Sequence, residues 1–295
     1  MWETHVKSTV LKYAGVAKSF GTKKVLNGLS FAIQAGEFLV LLGPNGAGKS
    51  TTIALATGLI RADQGEVLLC GEPAGSFQAR QSSAYVPQEP SFPAHVTARQ
   101  ILRFMAAHFP NARGPDEIAT ELELEYFLDT SVRHLSGGQK RLLSIASAFV
   151  SRAPFVILDE PTVGLDLEVR RKVWAFLSRF TASGGTILMT THYLIEAEEL
   201  ASQVVVLSRG QVVQRGSPQE IKRQFGFKRI SFRSKAAPPA HLQAQRLNEA
   251  GHWLVDSSSP DQSLHELIQW GQAADIEVVP LALEDIFVRL IGSSP

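Results

Sequence analysis

The sequence predicts an α/β fold, a mostly parallel sheet covered by helices on both faces, with a small α+β appendage at its C-terminal end. Three observations carry that prediction. Apolar runs recur at Phe38–Leu42, Phe155–Leu158, Thr186–Thr191 and Val204–Leu207, and strands buried on both faces need not alternate apolar with polar. The first three runs end at once on Gly43, Asp159 and His192. In open α/β sheets ligands bind beyond the carboxyl ends of strands. Finally, 295 residues is about twice the length of one average domain, and composition shifts near Phe225–Pro239, where Ala236-Ala237-Pro238-Pro239 breaks any helix.

Composition narrows the classes. Apolar residues make up 44% and charged residues 19%, ordinary values that exclude wholesale disorder. Lys plus Arg total 29 against 28 Asp plus Glu, a net charge of +1. Such a balance creates no global basic field, so no nucleic-acid partner is expected. The single cysteine, Cys70, excludes an internal disulfide and any multi-cysteine zinc site. It closes the strand-like run Glu66–Cys70 and is expected to be buried. No stretch approaches the roughly 18 apolar residues of a membrane span, and Met1–Lys7 lacks the apolar core of a leader. A soluble, cytoplasmic protein is the expectation.

The elements follow in order. Phe38–Leu42 is a buried strand, Thr52–Ala56 begins a helix, and Glu66–Cys70 is a further strand. From about residue 88 to 150 the long apolar runs disappear and helical periodicity replaces them, as in Ile101–His108. Thr97 with Gln100 makes a capping box before that helix. This stretch is read as a helical subdomain inserted in the α/β domain. Ser217-Pro218-Gln219-Glu220 starts another helix: a cap, proline at the first helical position and Glu at the third. The α/β domain is assigned to residues 1–225 and the appendage to 226–295. Within the latter, strands are expected at Lys228–Arg233, Trp253–Val255 and Ile276–Val279, and helices at Ser263–Gly271 and Leu283–Ile291.

Chemistry concentrates at two strand ends. Gly43-Pro44-Asn45-Gly46-Ala47-Gly48-Lys49-Ser50-Thr51 fits G-x-x-x-x-G-K-[ST] between a buried strand and a helix, the context that the motif requires. Its glycines let backbone N–H groups turn toward phosphate oxygens, and the helix N-terminus adds partial positive charge. Lys49 would reach the β- and γ-phosphates of a nucleotide such as ATP, and the Ser50 hydroxyl would ligate Mg²⁺. Asp159, at the end of the second strand, can hold the Mg²⁺ water shell. Glu160 beside it can act as general base toward water.

A third motif names a family. Leu135-Ser136-Gly137-Gly138-Gln139, before a helical run beginning at Lys140, resembles with the two motifs above the signature of the ATP-binding cassette (ABC) ATPases. The resemblance covers roughly residues 8–225. It implies a RecA-like P-loop NTPase core in which Ser136 and Gly138 reach the nucleotide held by an opposite subunit. It further implies that Gln88 contacts Mg²⁺ and the attacking water, that Asp166 crosses the dimer seam, and that His192 contacts the γ-phosphate. Phe20 falls where the family places an adenine-stacking aromatic, with Tyr13 nearby as the other candidate ring. Leu167 departs from the family, where proline commonly follows the aspartate.

The ending Pro280–Gly292 and the run Thr191–Glu198 resemble the ATPase subunits of bacterial exporters. The family resemblance implies a dimer closed around two ATP·Mg²⁺, and since every catalytic motif is intact the expectation is a homodimer. It also implies a separate membrane permease, which would dock near residues 88–96 around Phe92, and a peripheral location on the inner face of the cell membrane. An importer subunit, or a soluble ABC ATPase acting on ribosome or DNA, stands as the alternative.

Overall fold

The computed structural model describes residues 8–248 and 250–292; Met1–Lys7, read above as lacking a leader core, lie outside the described residues. The chain opens with β1 (Thr9–Phe20) and β2 (Lys23–Gln34), and β3 (Phe38–Leu42) then leads into α1 (Lys49–Ala56). Next come β4 (Gln64–Leu69), β5 (Glu72–Pro73), α2 (Phe77–Gln81) and β6 (Ser83–Val86). The inserted segment supplies α3 (Ala98–Ala106), α4 (Pro115–Leu122) and α5 (Gly137–Phe149). The capping box of Thr97 with Gln100 is formed as expected. After it lie β7 (Phe155–Asp159), α6 (Leu167–Ala182), β8 (Thr186–Thr190), α7 (Leu194–Leu200), β9 (Gln203–Ser208) and β10 (Gln211–Gly216).

Six strands form one sheet in the order β10-β9-β3-β8-β7-β6. Every residue of β3, β7 and β8 is buried, which is why these strands read as continuous apolar runs. The pairs β3·β8, β3·β9, β7·β8 and β6·β7 are parallel. Of a second, antiparallel sheet, β2-β1-β4-β5, the sequence reading reaches only β4. Its strand β1 shifts register between Tyr13 and Val16, which breaks the two-residue period that would have revealed it. Leu11, Tyr13 and Ile33 from this sheet share one core with Ile53 and Leu55 of α1 and with Leu39, Leu41, Ile157 and Leu188 of the parallel sheet. Each such aliphatic side chain removed from water stabilises by about 2 kcal/mol.

Cys70 corrects the sequence reading. It is exposed, because β4 ends at Leu69 and Cys70-Gly71 forms a two-residue hairpin turn to Glu72. Both turn residues have positive φ, 52° and 83°, the mirror-image turn geometry that matches strand twist.

The chain divides into two units, Met1–Arg215 and Gly216–Pro295. The break falls ten residues before the boundary read from composition, since α8 (Pro218–Phe225) packs on the last helix of the second unit. The Ser217–Glu220 capping box at its start is present. This unit continues with β11 (Lys228–Arg233), β12 (Gln245–Arg246), β13 (His252–Ser257), α9 (Pro260–Trp270), β14 (Ala274–Pro280) and α10 (Leu283–Gly292). Its sheet runs β12-β13-β11-β14, with its own core of Ile230, Phe232, Leu242, Val255 and Leu267.

Candidate functional site

Parallel register builds the site. Leu41 of β3 and Asp159 of β7 both sit level with Thr190 of β8, and Val86 of β6 sits level with Leu158. The residues that leave these strand ends are therefore neighbours: the loop Gly43–Gly48, the Asp159-Glu160 pair, His192 and Gln88. The loop, the acidic pair and His192 follow strands buried along their whole length, whereas Gln88 follows β6, of which only Val86 is buried.

The phosphate loop depends on backbone shape. Gly46 and Gly48 have φ of 80° and 108°, values that side-chain-bearing residues rarely adopt. Gly43 is needed for space: a Cβ there would lie 2.6 Å from the Leu207 carbonyl oxygen. Ala47 is buried, Pro44 and Thr51 are half-buried, and Asn45 and Ser50 are exposed. Lys49, the first residue of α1, folds back so that Nζ donates to the carbonyls of Gly43 at 2.7 Å and Pro44 at 3.3 Å. Burial pulls its pKa down, against the opposing pull of Glu160 and Asp159.

Asp159 is buried, and its Oδ1 accepts from the Thr190 hydroxyl at 2.5 Å. Burial pushes its carboxyl above the ordinary aspartate range; the Thr190 hydrogen bond opposes this and the Glu160 charge adds to it. Glu160 has a left-handed backbone, φ 47°, which costs a non-glycine residue about 1 kcal/mol. Its N–H is held there by the Thr190 carbonyl and hydroxyl, both at 3.1 Å. The turn brings the carboxylate to two other residues singled out in the sequence. Gln88 Nε2 donates to Glu160 Oε2 at 3.3 Å, and His192 Nδ1 lies 3.3 Å from the same oxygen. Gln88, Glu160 and His192 thus converge on one atom.

Other expected residues fall elsewhere. Ser136 N-caps α5 in a capping box with Gln139: its Oγ accepts from the Gln139 N–H, and Gln139 Oε1 accepts from the Ser136 N–H. That spends an acceptor of the hydroxyl and leaves its O–H to donate. Gly137 and Gly138 open the helix, and Leu135 is buried beneath it. The signature shares its cleft with Gly164, Leu165 and Asp166 and not with the phosphate loop of the same chain. Asp166 N-caps α6, accepting from Val169 N–H at 3.0 Å. The two candidate rings differ in their surroundings. Tyr13 is core, stacked on Phe31 with its hydroxyl donating to the Thr52 carbonyl, whereas Phe20 is 52% exposed.

Sequence reasoning missed two supporting residues. Arg141 of α5 is buried and donates to the carbonyls of Pro87, at 3.2 Å, and Gln88. Burial lowers its pKa, against the raising influence of Glu160 and Asp159. Glu196 of α7 is fully buried. Arg170 adds a stack: its guanidinium lies 4.4 Å from the Tyr193 ring, itself 4.1 Å from the His192 ring.

Magnesium fits this donor set. Ser50, Asp159 and Gln88 offer hard oxygens, and no cluster of three His, Cys, Asp or Glu able to hold a metal exists among the described residues. Mg²⁺ commonly takes one or two protein oxygens and completes its shell from phosphate and water.

Residues 26–163 match the ABC transporter family model. The chain is 36% identical to the Nod factor export ATP-binding protein I of Burkholderia lata, over 96% of this chain and 97% of that protein. The protein of the same name from Rhizobium sp. (strain N33) is 35% identical, over 97% and 98%. Among solved structures, an ATP-binding subunit of an ABC transporter is 31% identical with a TM-score of 0.69, covering 74% of this chain and 94% of that one. With the phosphate loop, the acidic strand end and the signature all in place, the chain belongs to the ABC transporter family and is an ATP-binding ATPase subunit of it.

Proposed function

We propose that this subunit works as the motor of an exporter, as a homodimer closed around two ATP·Mg²⁺ that drives a separate membrane permease. The observation that carries the hydrolytic half is the convergence of Gln88 and His192 on Glu160 Oε2. Export is supported by the names of relatives that match along the second unit as well as the first.

Hydrolysis needs positioning and charge stabilisation more than covalent help. Water attacks the γ-phosphorus in line with the departing ADP oxygen and passes a proton to Glu160. Gln88 orients that water, while His192, with its proton on Nδ1, donates to Glu160 and is held in a fixed ring orientation. Lys49 leaves the carbonyls of Gly43 and Pro44 for the β- and γ-phosphates. Ser50, Asp159 and Gln88 would hold Mg²⁺, which when bound would neutralise charge on the phosphate oxygens. Across the seam the Ser136 hydroxyl and the N–H groups at the start of α5 reach the partner's γ-phosphate, beside Asp166. Phe20 stacks on the adenine. A surface around Phe92 docks the permease, which places the subunit on the inner face of the cell membrane.

Glu160→Gln tests the reading. The variant keeps ATP binding, loses about 10²-fold or more in hydrolysis, and elutes with ATP·Mg²⁺ at twice the 32.1 kDa chain mass. A variant that binds ATP and stays monomeric overturns the sandwich.

A further inference from the structure

We infer that Glu196 is a positioning residue for hydrolysis: a buried carboxylate that locks the segments carrying Glu160 and His192 into one geometry. The inference rests on the roles given above to those two residues. Glu196 lies in the first turn of α7 and is 0% exposed. Its Oε1 accepts from the Thr162 hydroxyl at 2.5 Å and from Trp174 Nε1 at 3.1 Å. Its Oε2 accepts from the Thr191 hydroxyl at 2.5 Å. Thr162 stands two residues after Glu160, Thr191 immediately before His192, and Trp174 on α6.

All three donors are neutral groups. A buried carboxylate with no cation among its hydrogen-bond donors is a poor way to add stability, since well-packed apolar residues do at least as well at such sites. What the carboxylate does provide is direction. One planar group with two acceptor oxygens fixes three segments relative to one another. Thr191 in turn accepts the Tyr193 N–H at 3.0 Å, which holds the backbone on both sides of His192. From the opposite side, Thr190 accepts the Glu160 N–H. The 3.3 Å approach of His192 Nδ1 to Glu160 Oε2 therefore depends on two cross-links, Thr190 in front and Glu196 behind. Glu196 touches neither ATP nor water in this scheme and acts only through Thr162 and Thr191.

The test is steady-state hydrolysis of ATP·Mg²⁺ by the full chain, with the ATP-binding site concentration titrated for each variant. Glu196→Ala is expected to lower kcat per titrated site by about 10- to 100-fold, with KM for ATP within about twofold, because misplaced catalytic groups lose rate without losing the phosphate loop. Glu196→Gln should recover most of the rate. Its amide oxygen can accept from Thr162 and Trp174 while its NH₂ donates to Thr191. Thr191→Val should reproduce the loss and add little to Glu196→Ala, as expected of members of one network. It also provides the answer if Glu196→Ala does not fold. A merely structural role would instead reduce the number of binding sites and leave kcat per site unchanged. That outcome, or an unchanged kcat in Thr191→Val, overturns the inference. Glu160→Gln and His192→Ala are measured alongside. If they hydrolyse normally, the underlying assignment fails; if they are inactive while Glu196 and Thr191 variants are not, only this inference fails.

Discussion

Asp159 is a carboxylate placed where burial makes its charge costly. Burial raises its pKa in the fold above the unfolded value. Between those two values the native state binds more protons than the unfolded one, so stability falls as pH rises through that window and stays reduced above it. Asp159→Asn removes the ionisable group and keeps its shape. Thermal unfolding of the nucleotide-free chain should show the variant gaining stability relative to wild type as pH rises from the ordinary aspartate range. Above the folded pKa the gain should level off, with each kcal/mol worth about 2–4 °C in Tm. The same variant should lose Mg²⁺-dependent hydrolysis. Equal pH profiles for the two proteins would count against a desolvated, ionised Asp159. Glu160 shows a second residue-scale cost, a left-handed backbone held by Thr190, the kind of local strain expected where a side chain must be aimed.

At the scale of elements, α5 links two motifs that sequence separates by nearly fifty positions. Its first turn carries Ser136 and Gly138, and one turn later Arg141 holds the backbone of Pro87 and Gln88. A rigid helix 13 residues long thus joins the signature to the glutamine that meets Glu160. Arg141→Met keeps much of the side-chain volume but leaves two carbonyls without their charged donor, a loss of about 2 kcal/mol. Hydrolysis should fall at least tenfold while equilibrium ATP binding, measured by calorimetry, changes little. An equal fall in affinity would place Arg141 with the phosphate loop instead. The Arg141 contact was not legible from the chain. Lys140-Arg141 begins a helix as ordinary surface charges do, and Glu196 sits in Glu196-Ala197-Glu198-Glu199, which reads as a solvated acidic face. The strands β3, β7, β8 and β9 were legible because full burial writes itself as an apolar run. The motifs were legible because phosphate binding demands glycine at fixed spacing. Their meeting point on Glu160 Oε2 depended on parallel register, which no local pattern encodes, and β1 and β2 were hidden by bulges.

For the whole molecule, each unit carries its own means of cohesion. The second has a modest core, reinforced by an ion network. Arg229 Nε meets Asp256 Oδ1 at 2.9 Å, its Nη1 meets Asp285 Oδ2 at 2.9 Å, and Arg289 Nη2 meets Asp256 Oδ2 at 2.8 Å. The two aspartates hold the Arg229 pKa well above its already high ordinary value. This joins β11, β13 and α10, the ending in which the exporter likeness was read. Arg229→Ala leaves Asp285 facing Asp256 and should destabilise this unit by about 2 kcal/mol, between surface and buried ion-pair values. Limited proteolysis should then cut beyond Gly216 sooner, while a fragment ending near Arg215 persists. Unchanged cleavage would assign the unit's stability to its apolar core alone.

The hairpin turn at Cys70 has a practical consequence. The only thiol of the chain projects from a sharp turn on the antiparallel sheet, so a maleimide or nitroxide reagent has a single address in the natural sequence. Desolvation raises the thiol pKa, which makes mildly alkaline labelling the efficient choice. In an assembly of two copies that address occurs twice, and one inter-label distance, followed through nucleotide addition and turnover, would read the opening and closing of the pair without any engineered substitution.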